Sequence, residues 1–465
     1  MDWNQYMNKN SKNIQAFLSS SLVIDKIQIS KDYLFGKLNW LQITLLIVGV
    51  LAFIAVVLAL FFSFGDTTPT LTATATYPVN SPEFLQAVSQ LSNSPVSQGG
   101  DIKILNNGDE FLPELLTNIK SAQHTIDFSV YVWDKGNMSD QVLAALTERA
   151  KAGVQVRVLL DSFGGSSAPT DKFADLQKAG GIVAKFRPPR FGSFARVYKR
   201  NHRRAIIIDG QTAFLGGMAV SDHWLGNASN KDQWRDTMFE VHGTMALGVQ
   251  SAFAQIWAGV HGEILEGPTF YPVITPAMVA QEKTPFVNIV SSPANDTQPL
   301  PKLFWLSIAS AKSKVYMNTP YFLPDAHLRQ ALIDRAKAGV DVRVLVPNDN
   351  NDSKGVYYSS RGYYENLLEA GVKIYEYQPS MIHSKILVID DTWSVIGSAN
   401  MDSRSAQLNE EYVMGVQSTK FAQELDSLFQ KNLLSSKQII LSEWNKRGWQ
   451  NYFFEHLYSF FIKQY

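Results

Sequence analysis

Residues 149–159 read RAKAGVQVRVL, and residues 335–345 read RAKAGVDVRVL, identical at ten of eleven positions and 186 residues apart. The order of elements around the two copies also matches. An apolar strand comes first, TIDFSVYVW from Thr125 and KVYMNTPYF from Lys314. The apolar spacing then predicts helices over 140–152 and 326–338, followed by the VRVL strands. Each half continues with a helix ending at glycine (LQKAGG, LLEAGV) and another short strand. Strands alternating with helices mark an α/β fold, here two repeated α/β units with mixed sheets. Two copies of one unit imply a pseudo-twofold axis, and a site at their junction should draw matching residues from each half.

At 465 residues, with 45% apolar and 18% charged residues, the chain has material for about three folding units and for packed cores. Lys+Arg and Asp+Glu both number 42, which argues against a general cationic coat for nucleic acid. There is no cysteine, so disulfides, thiolate metal sites and cysteine nucleophiles are excluded.

Residues 43–62, ITLLIVGVLAFIAVVLALFF, hold one polar residue, Thr44, in twenty. A helix of that length spans about 30 Å, the hydrocarbon core of a bilayer. Lys9, Lys12, Lys26, Lys31 and Lys37 precede it, and no Lys or Arg follows until Lys103. The positive-inside rule then makes 1–40 a cytoplasmic segment and 41–64 a single transmembrane helix, with the rest outside the cytoplasm. Residues 65–100, rich in Thr, Ser, Pro, Asn and Gln, read as a flexible linker. The repeats follow at 101–270 and 271–433. In 434–465, Trp449, Tyr452, Phe453, Leu457, Phe460 and Phe461 recur at helical spacing, with Ser442 a candidate cap. This C-terminal helix is either packed on the domain or lies in the membrane interface.

Each repeat runs into a histidine. His383 and Lys385 lead through ILVI to Asp390 and then to Gly397, Ser398 and Asn400. In the first half His202 and Arg204 lead through AIII to Asp209 and then to Gly216, Gly217 and Ala219. On an extended chain the His and the cation share a face, a combination suited to phosphate. The cation neutralises oxygens while the imidazole attacks or protonates. The remaining histidines form no close ligand pair, and no phosphate loop of the GxxxxGK[ST] type occurs, so neither a metal nor a cofactor is expected.

The spacing H-x-K-x4-D, present twice, resembles the phospholipase D superfamily over about residues 101–433. The stretches RNHRRAIIIDG, FLGGM, QWRDT, TPYFLPD and IHSKILVIDD followed by GSANMDSRS are similar to its bacterial cardiolipin synthase branch. The resemblance implies two repeats around a shared site and a covalent phosphohistidine. His202 would be the nucleophile and His383 the general acid and base, although the roles can be exchanged. Arg204 and Lys385 would hold the non-bridging oxygens, helped by Ser398 and Asn400. Asp236 and Glu410 are candidates to orient the imidazoles. Asp209 and Asp390 complete the catalytic motif, but as strand-end carboxylates they read more readily as ties for neighbouring loops. Arg204 and Ala219 depart from the usual Lys and Asn, which bears on rate and substrate preference.

The stretch 185–204 carries eight Lys or Arg and no acid, with Phe186, Phe191, Phe194 and Tyr198 interleaved. Because it enters His202 directly and the chain carries an anchor, it reads as a surface for anionic phospholipid, of the phosphatidylglycerol kind, rather than for nucleic acid. The function expected is transfer of a phosphatidyl group between phospholipids at a bacterial inner (cell) membrane, with the catalytic part extracytoplasmic. A phospholipase D-type hydrolase of lipid or nucleic acid, or an impaired lipid-binding protein, are the alternatives. Oligomeric state is not readable.

Overall fold

The computed structural model describes residues 39–63, 70–189, 198–273, 284–292 and 298–459. Most of the expected cytoplasmic segment, and Phe191, Phe194, Phe460 and Phe461, lie outside these. The chain divides into two compact units, Met1–Thr70 and Leu71–Tyr465. In the first, Trp40–Ser63 (α1) is one continuous helix with no charged residue. Its 24 residues span about 36 Å, enough to cross a membrane.

The second unit contains two mixed sheets. One holds β2 (Ile102–Asn106), β3 (Thr125–Val130), β4 (Gln155–Asp161), β5 (Ile182–Phe186), β6 (Ala205–Ile208), β7 (Thr212–Gly216) and β8 (Thr237–His242). Its order is β2-β8-β7-β6-β3-β4-β5. The other is built from β1 (Val96–Gln98), β9 (Pro285–Ser291), β10 (Lys314–Asn318), β11 (Asp341–Pro347), β12 (Lys373–Tyr377), β13 (Ile386–Ile389), β14 (Trp393–Gly397), β15 (Glu411–Gln417) and β16 (Ser436–Gln438). Its order is β1-β9-β15-β14-β13-β10-β11-β12-β16. Without the edge strands β1 and β16, the two orders superimpose strand for strand. In both, three parallel strands continue into an antiparallel set.

The duplicated RAKAGV sequence is a helix stop. In the first repeat α2 (Asn137–Lys151) ends in a Schellman motif: Val154 N–H donates to Arg149 O and Gly153 N–H to Ala150 O, both at 3.0 Å. In the second, α3 (Ala326–Lys337) ends the same way, with Val340 on Arg335 and Gly339 on Ala336, again at 3.0 Å. The glycines adopt φ of +92° and +89°, a left-handed conformation that a β-carbon would strain. The buried valine that follows each one starts the return into the sheet.

The layers follow from the apolar runs. One core lies outside the first sheet, under Asn107–Ser121 and α2. Another lies outside the second sheet, under Pro299–Ala309 and α3. A third lies between the sheets, where Thr244–His261 and Thr419–Leu433 are sandwiched. β6 (AIII) and β13 (ILVI) are therefore buried on both faces, which is why they read as unbroken apolar runs.

The linker expectation needs correction at its end. Helix Pro82–Ser92 is capped by Ser81 and buries Phe84, Leu85 and Val88. Phe84 meets Trp393 edge-on at 5.1 Å, and β1 pairs with β9. The apolar stripe of this helix sits among polar small residues, so composition hid it. Beyond the repeats, Ser442 lies inside a short helix, Leu441–Trp444, and the aromatic helix runs Trp449–Ser459.

Candidate active site

His202 and His383 lie on extended segments just before β6 and β13, and those segments leave their own sheets. His202 N–H donates to Glu410 O at 2.9 Å, and Glu410 N–H donates to Arg200 O at 2.8 Å. Symmetrically, His383 N–H donates to Arg235 O at 2.7 Å, and Arg235 N–H donates to Met381 O at 2.8 Å. Each histidine segment is thus a short parallel partner of the other half's chain.

This crossing exchanges the carboxylates. His202 Nδ1–H donates to Glu411, 2.8 Å from Oε1 and 3.0 Å from Oε2. His383 Nδ1–H donates to Asp236 Oδ2 at 2.8 Å. Asp236 is an imidazole partner, as expected, but of the other repeat's histidine. Glu410 does not take the expected place. Its carboxylate accepts from Arg203 Nη2 at 2.9 Å and from Ser292 Oγ at 2.9 Å. Neighbouring side chains on an extended chain point to opposite faces, so the residue whose backbone meets His202 cannot also present its carboxylate there. Glu411 can. The equivalents are Arg235 with Glu410 and Asp236 with Glu411.

Both carboxylates are held from behind. Glu411 accepts from Ser398 Oγ at 2.5 Å, Ser405 Oγ at 2.7 Å and Asn409 Nδ2 at 3.3 Å. Asp236 accepts from Trp224 Nε1 at 2.9 Å and Thr237 N–H at 2.8 Å. Ser398, expected on the phosphate, therefore faces Glu411. Its counterpart Gly217 has no room for a side chain, because a β-carbon there would lie 2.3 Å from Asp236 Oδ1.

Asp209 and Asp390 are not in this cluster. Asp209 accepts from the N–H groups of Gln123, His124 and Thr125 at 2.7–2.8 Å, at the start of β3. Asp390 does the same for Lys312, Ser313 and Lys314 at the start of β10, at 2.7–2.9 Å. Seven residues of extended chain, on the order of 20 Å, separate each from its histidine. They brace the fold and, against the expectation that they complete a catalytic motif, stand away from the reacting groups.

The site is buried and highly charged. Burial, reinforced by Arg204 and opposed by Glu411, takes His202 down to about 4. Burial, then the Lys385 ammonium, takes His383 down to about 3 against the pull of Asp236. Burial pushes Asp236 and Glu411 upward, yet the histidine hydrogen bonds and nearby cations hold both below the usual carboxylate range. The resting site therefore has two neutral imidazoles with protons on Nδ1 and lone pairs on Nε2. A bound phosphodiester anion would offset the cations and raise imidazole basicity, which a proton-donating histidine needs.

Arg204 is buried. Its Nη1 donates to His202 O at 2.7 Å, while Nε has no hydrogen-bond partner among the described residues. An unmet buried donor beside a histidine suits an oxyanion. Lys385 Nζ stands 2.9 and 3.1 Å from the two ring nitrogens of His383, hence over the ring face, and donates to His383 O at 2.6 Å. Asn400 Oδ1 is buried and has no hydrogen-bond partner among the described residues, while Ala219 packs in the first repeat's core. Tyr131 stands edge-on to His202 at 5.1 Å, and Trp224 and Trp234 flank His383 at 5.4 and 5.3 Å. Tyr321 donates its phenol to Asp352 at 2.8 Å, and the two act electrostatically on Arg204 and Lys385 respectively. These walls, like Glu411, were not singled out from sequence. The RDT and NEE stretches that follow each motif were the available signal.

Burial, opposed by Asp236 and Glu411, lowers Lys385 to about 7. Its charge is present below that value and lost as pH rises through it. Phosphate capture by the free site, read as kcat/KM, should fall as pH rises above about 7. Lys385→Arg keeps its charge at any accessible pH, so the alkaline limb of the profile should move upward by a unit or more. An unmoved limb would mean another group titrates.

The family described as "Cardiolipin synthase, PLD-like domain" matches residues 115–257 and 306–433, one segment in each repeat. The cardiolipin synthase of Halalkalibacterium halodurans is 34% identical over 362 residues, covering 77% of this chain and 71% of that protein. The major cardiolipin synthase ClsA of Bacillus subtilis is 32% identical over 354 residues, covering 76% and 72%. In fold, the chain is similar to the crystal structure of phosphatidylserine synthase from Haemophilus influenzae Rd KW20. The TM-score is 0.63 at 14% identity, covering 81% of this chain and 96% of that one. Both repeats carry the matched domain and the exchanged histidine–carboxylate pairs, and the chain belongs to the cardiolipin synthase family of phospholipase D-like proteins.

Proposed function

We propose that this chain is a membrane-anchored phosphatidyltransferase that makes cardiolipin-type lipid from two phosphatidylglycerol-like molecules. The observation that carries it is the pair of exchanged histidine–carboxylate dyads around two buried cations, in a chain of this family. His202 Nε2 attacks phosphorus and the P–O bond to the headgroup breaks. His383, which takes up a proton on Nε2 when the bound phosphodiester anion raises its basicity, supplies that proton to the departing glycerol. The headgroup hydroxyl of a second lipid then gives its proton to His383 and attacks the phosphohistidine, which restores His202. Arg204 and Lys385 hold the non-bridging oxygens as charge develops. The apolar helix α1 and the lysine-rich flank before it support a single-pass anchor with the catalytic unit outside the cytoplasm.

The full chain in vesicles of phosphatidylglycerol should release free glycerol in step with a four-chain lipid. Phosphatidic acid with glycerol would instead mark a hydrolase, and no change would mark a binding protein. Arg204→Lys should retain activity. Arg204→Ala loses a charge-assisted contact that strengthens in the transition state, so kcat should fall roughly a hundredfold with little change in membrane association. Full activity of Arg204→Ala would remove the first motif from the mechanism.

A further inference from the structure

The C-terminal helix α4 (Trp449–Ser459) has its polarity inverted. The buried residue on its inner face is a carboxylate, Glu455, which is fully enclosed. Glu455 accepts from Arg361 Nε at 3.2 Å and from Arg447 Nε at 2.9 Å. Tyr458 stacks on Tyr358 at 5.7 Å beside it. The outer face, by contrast, presents Trp449, Phe453 and Leu457 at i, i+4 and i+8, exposed by 75%, 53% and 42%, with Tyr452 on the flank. A helix on a water-facing surface arranges these the other way round.

We propose that this outer face docks the catalytic unit onto the lipid–water interface of the bilayer in which the chain is anchored. Trp and Tyr flanked by polar Gln450, Asn451 and His456 are the side chains that settle at headgroup depth. The exposed stripe amounts to roughly 500 Å², short of the about 800 Å² per partner that a stable protein interface needs, so a second copy fits it less well. Helix α1 is long and apolar enough to anchor the chain, and with that anchor in place docking is intramolecular and a small patch suffices. The inner face ties α4 to the catalytic unit: Arg361 belongs to helix Lys354–Arg361, which begins two residues after Asp352, a carboxylate whose charge is felt by Lys385. Seating α4 on the headgroups would hold this part of the catalytic unit against lipid still in the bilayer. This goes beyond the transferase reading and holds for any lipid-acting chemistry at the site.

The absence of cysteine allows a direct test. Phe453→Cys, and Lys178→Cys as a solvent-facing control, would each be nitroxide-labelled in the full chain and reconstituted in phosphatidylglycerol–phosphatidylcholine vesicles. The expected result is a label at 453 shielded from aqueous nickel and open to lipid-borne oxygen, and the reverse at 178. Nickel access at 453 equal to that at 178 overturns the proposal, as does dipolar broadening that shows a second copy on the face. In parallel, the triple variant Trp449→Ser, Phe453→Ser, Leu457→Ser should lose at least tenfold in turnover of vesicle lipid. It should keep its turnover of monomeric short-chain lipid. Equal activity on both overturns docking. Loss on both marks a folding defect, and the label at 453 then decides. Failure of the transferase reading would instead show as absent transfer by the parent chain on either substrate.

Discussion

His202→Ala should abolish both turnover and covalent labelling, and His383→Ala should abolish turnover while leaving some labelling. Losing a nucleophile or its acid–base partner costs on the order of 10⁵-fold or more, because these groups act as a unit. The two differ in what remains. Without His202 there is no Nε2 to receive the phosphoryl group. Without His383 attack is still possible, but the leaving alkoxide finds no proton. A phosphodiester with a nitrophenol leaving group needs none, so His383→Ala should form the phosphoenzyme from it and then stall. Intact mass after mixing reads this directly. Label retained in His202→Ala and lost in His383→Ala would reverse the roles. The resting electrostatics do not choose between them, since burial and a neighbouring cation depress both imidazoles.

Much of this was legible in the sequence because it is local. RAKAGV specifies a helix stop in six residues, and AIII and ILVI announce strands buried on both faces. The histidines and cations follow from spacing along one chain segment. What escaped depends on the meeting of the halves. Spacing marks carboxylates that can orient the imidazoles but does not say which histidine each serves, and the crossing segments hand each one to the other repeat. The choice between Glu410 and Glu411 is a one-residue register, set by the backbone bond from His202 to Glu410. Ser398 was read through the phosphate-binding motif, but a carboxylate directly behind it claims its hydroxyl. The helix Pro82–Ser92 was hidden differently. Its three buried residues gain meaning only against Trp393 and the second sheet, more than 200 residues downstream.

The exchange itself has a consequence that separates it from the unexchanged arrangement. Glu411→Gln removes the charge behind His202, and Asp236→Asn removes the charge behind His383. Each amide can still fill its space, but it no longer holds the Nδ1–H tautomer or stabilises an imidazolium. Such replacements cost about 10³- to 10⁴-fold in turnover where a carboxylate orients a catalytic histidine. The step that suffers should differ. Glu411→Gln should slow phosphoenzyme formation from every substrate, the nitrophenyl diester included, because it weakens the nucleophile. Asp236→Asn should slow formation from natural lipid yet spare it with the nitrophenyl diester, because it weakens only the proton donor. If each carboxylate served its own repeat's histidine, these patterns would swap. Either change also removes a negative charge that compensates buried Arg204 and Lys385, and breaking such a pairing can cost about 3–5 kcal/mol of stability. Thermal melting therefore accompanies the kinetics, which are read well below each variant's Tm. A variant that stays folded, with labelling slowed for one class of substrate and preserved for the other, would show that catalysis in each half depends on a carboxylate supplied by its twin.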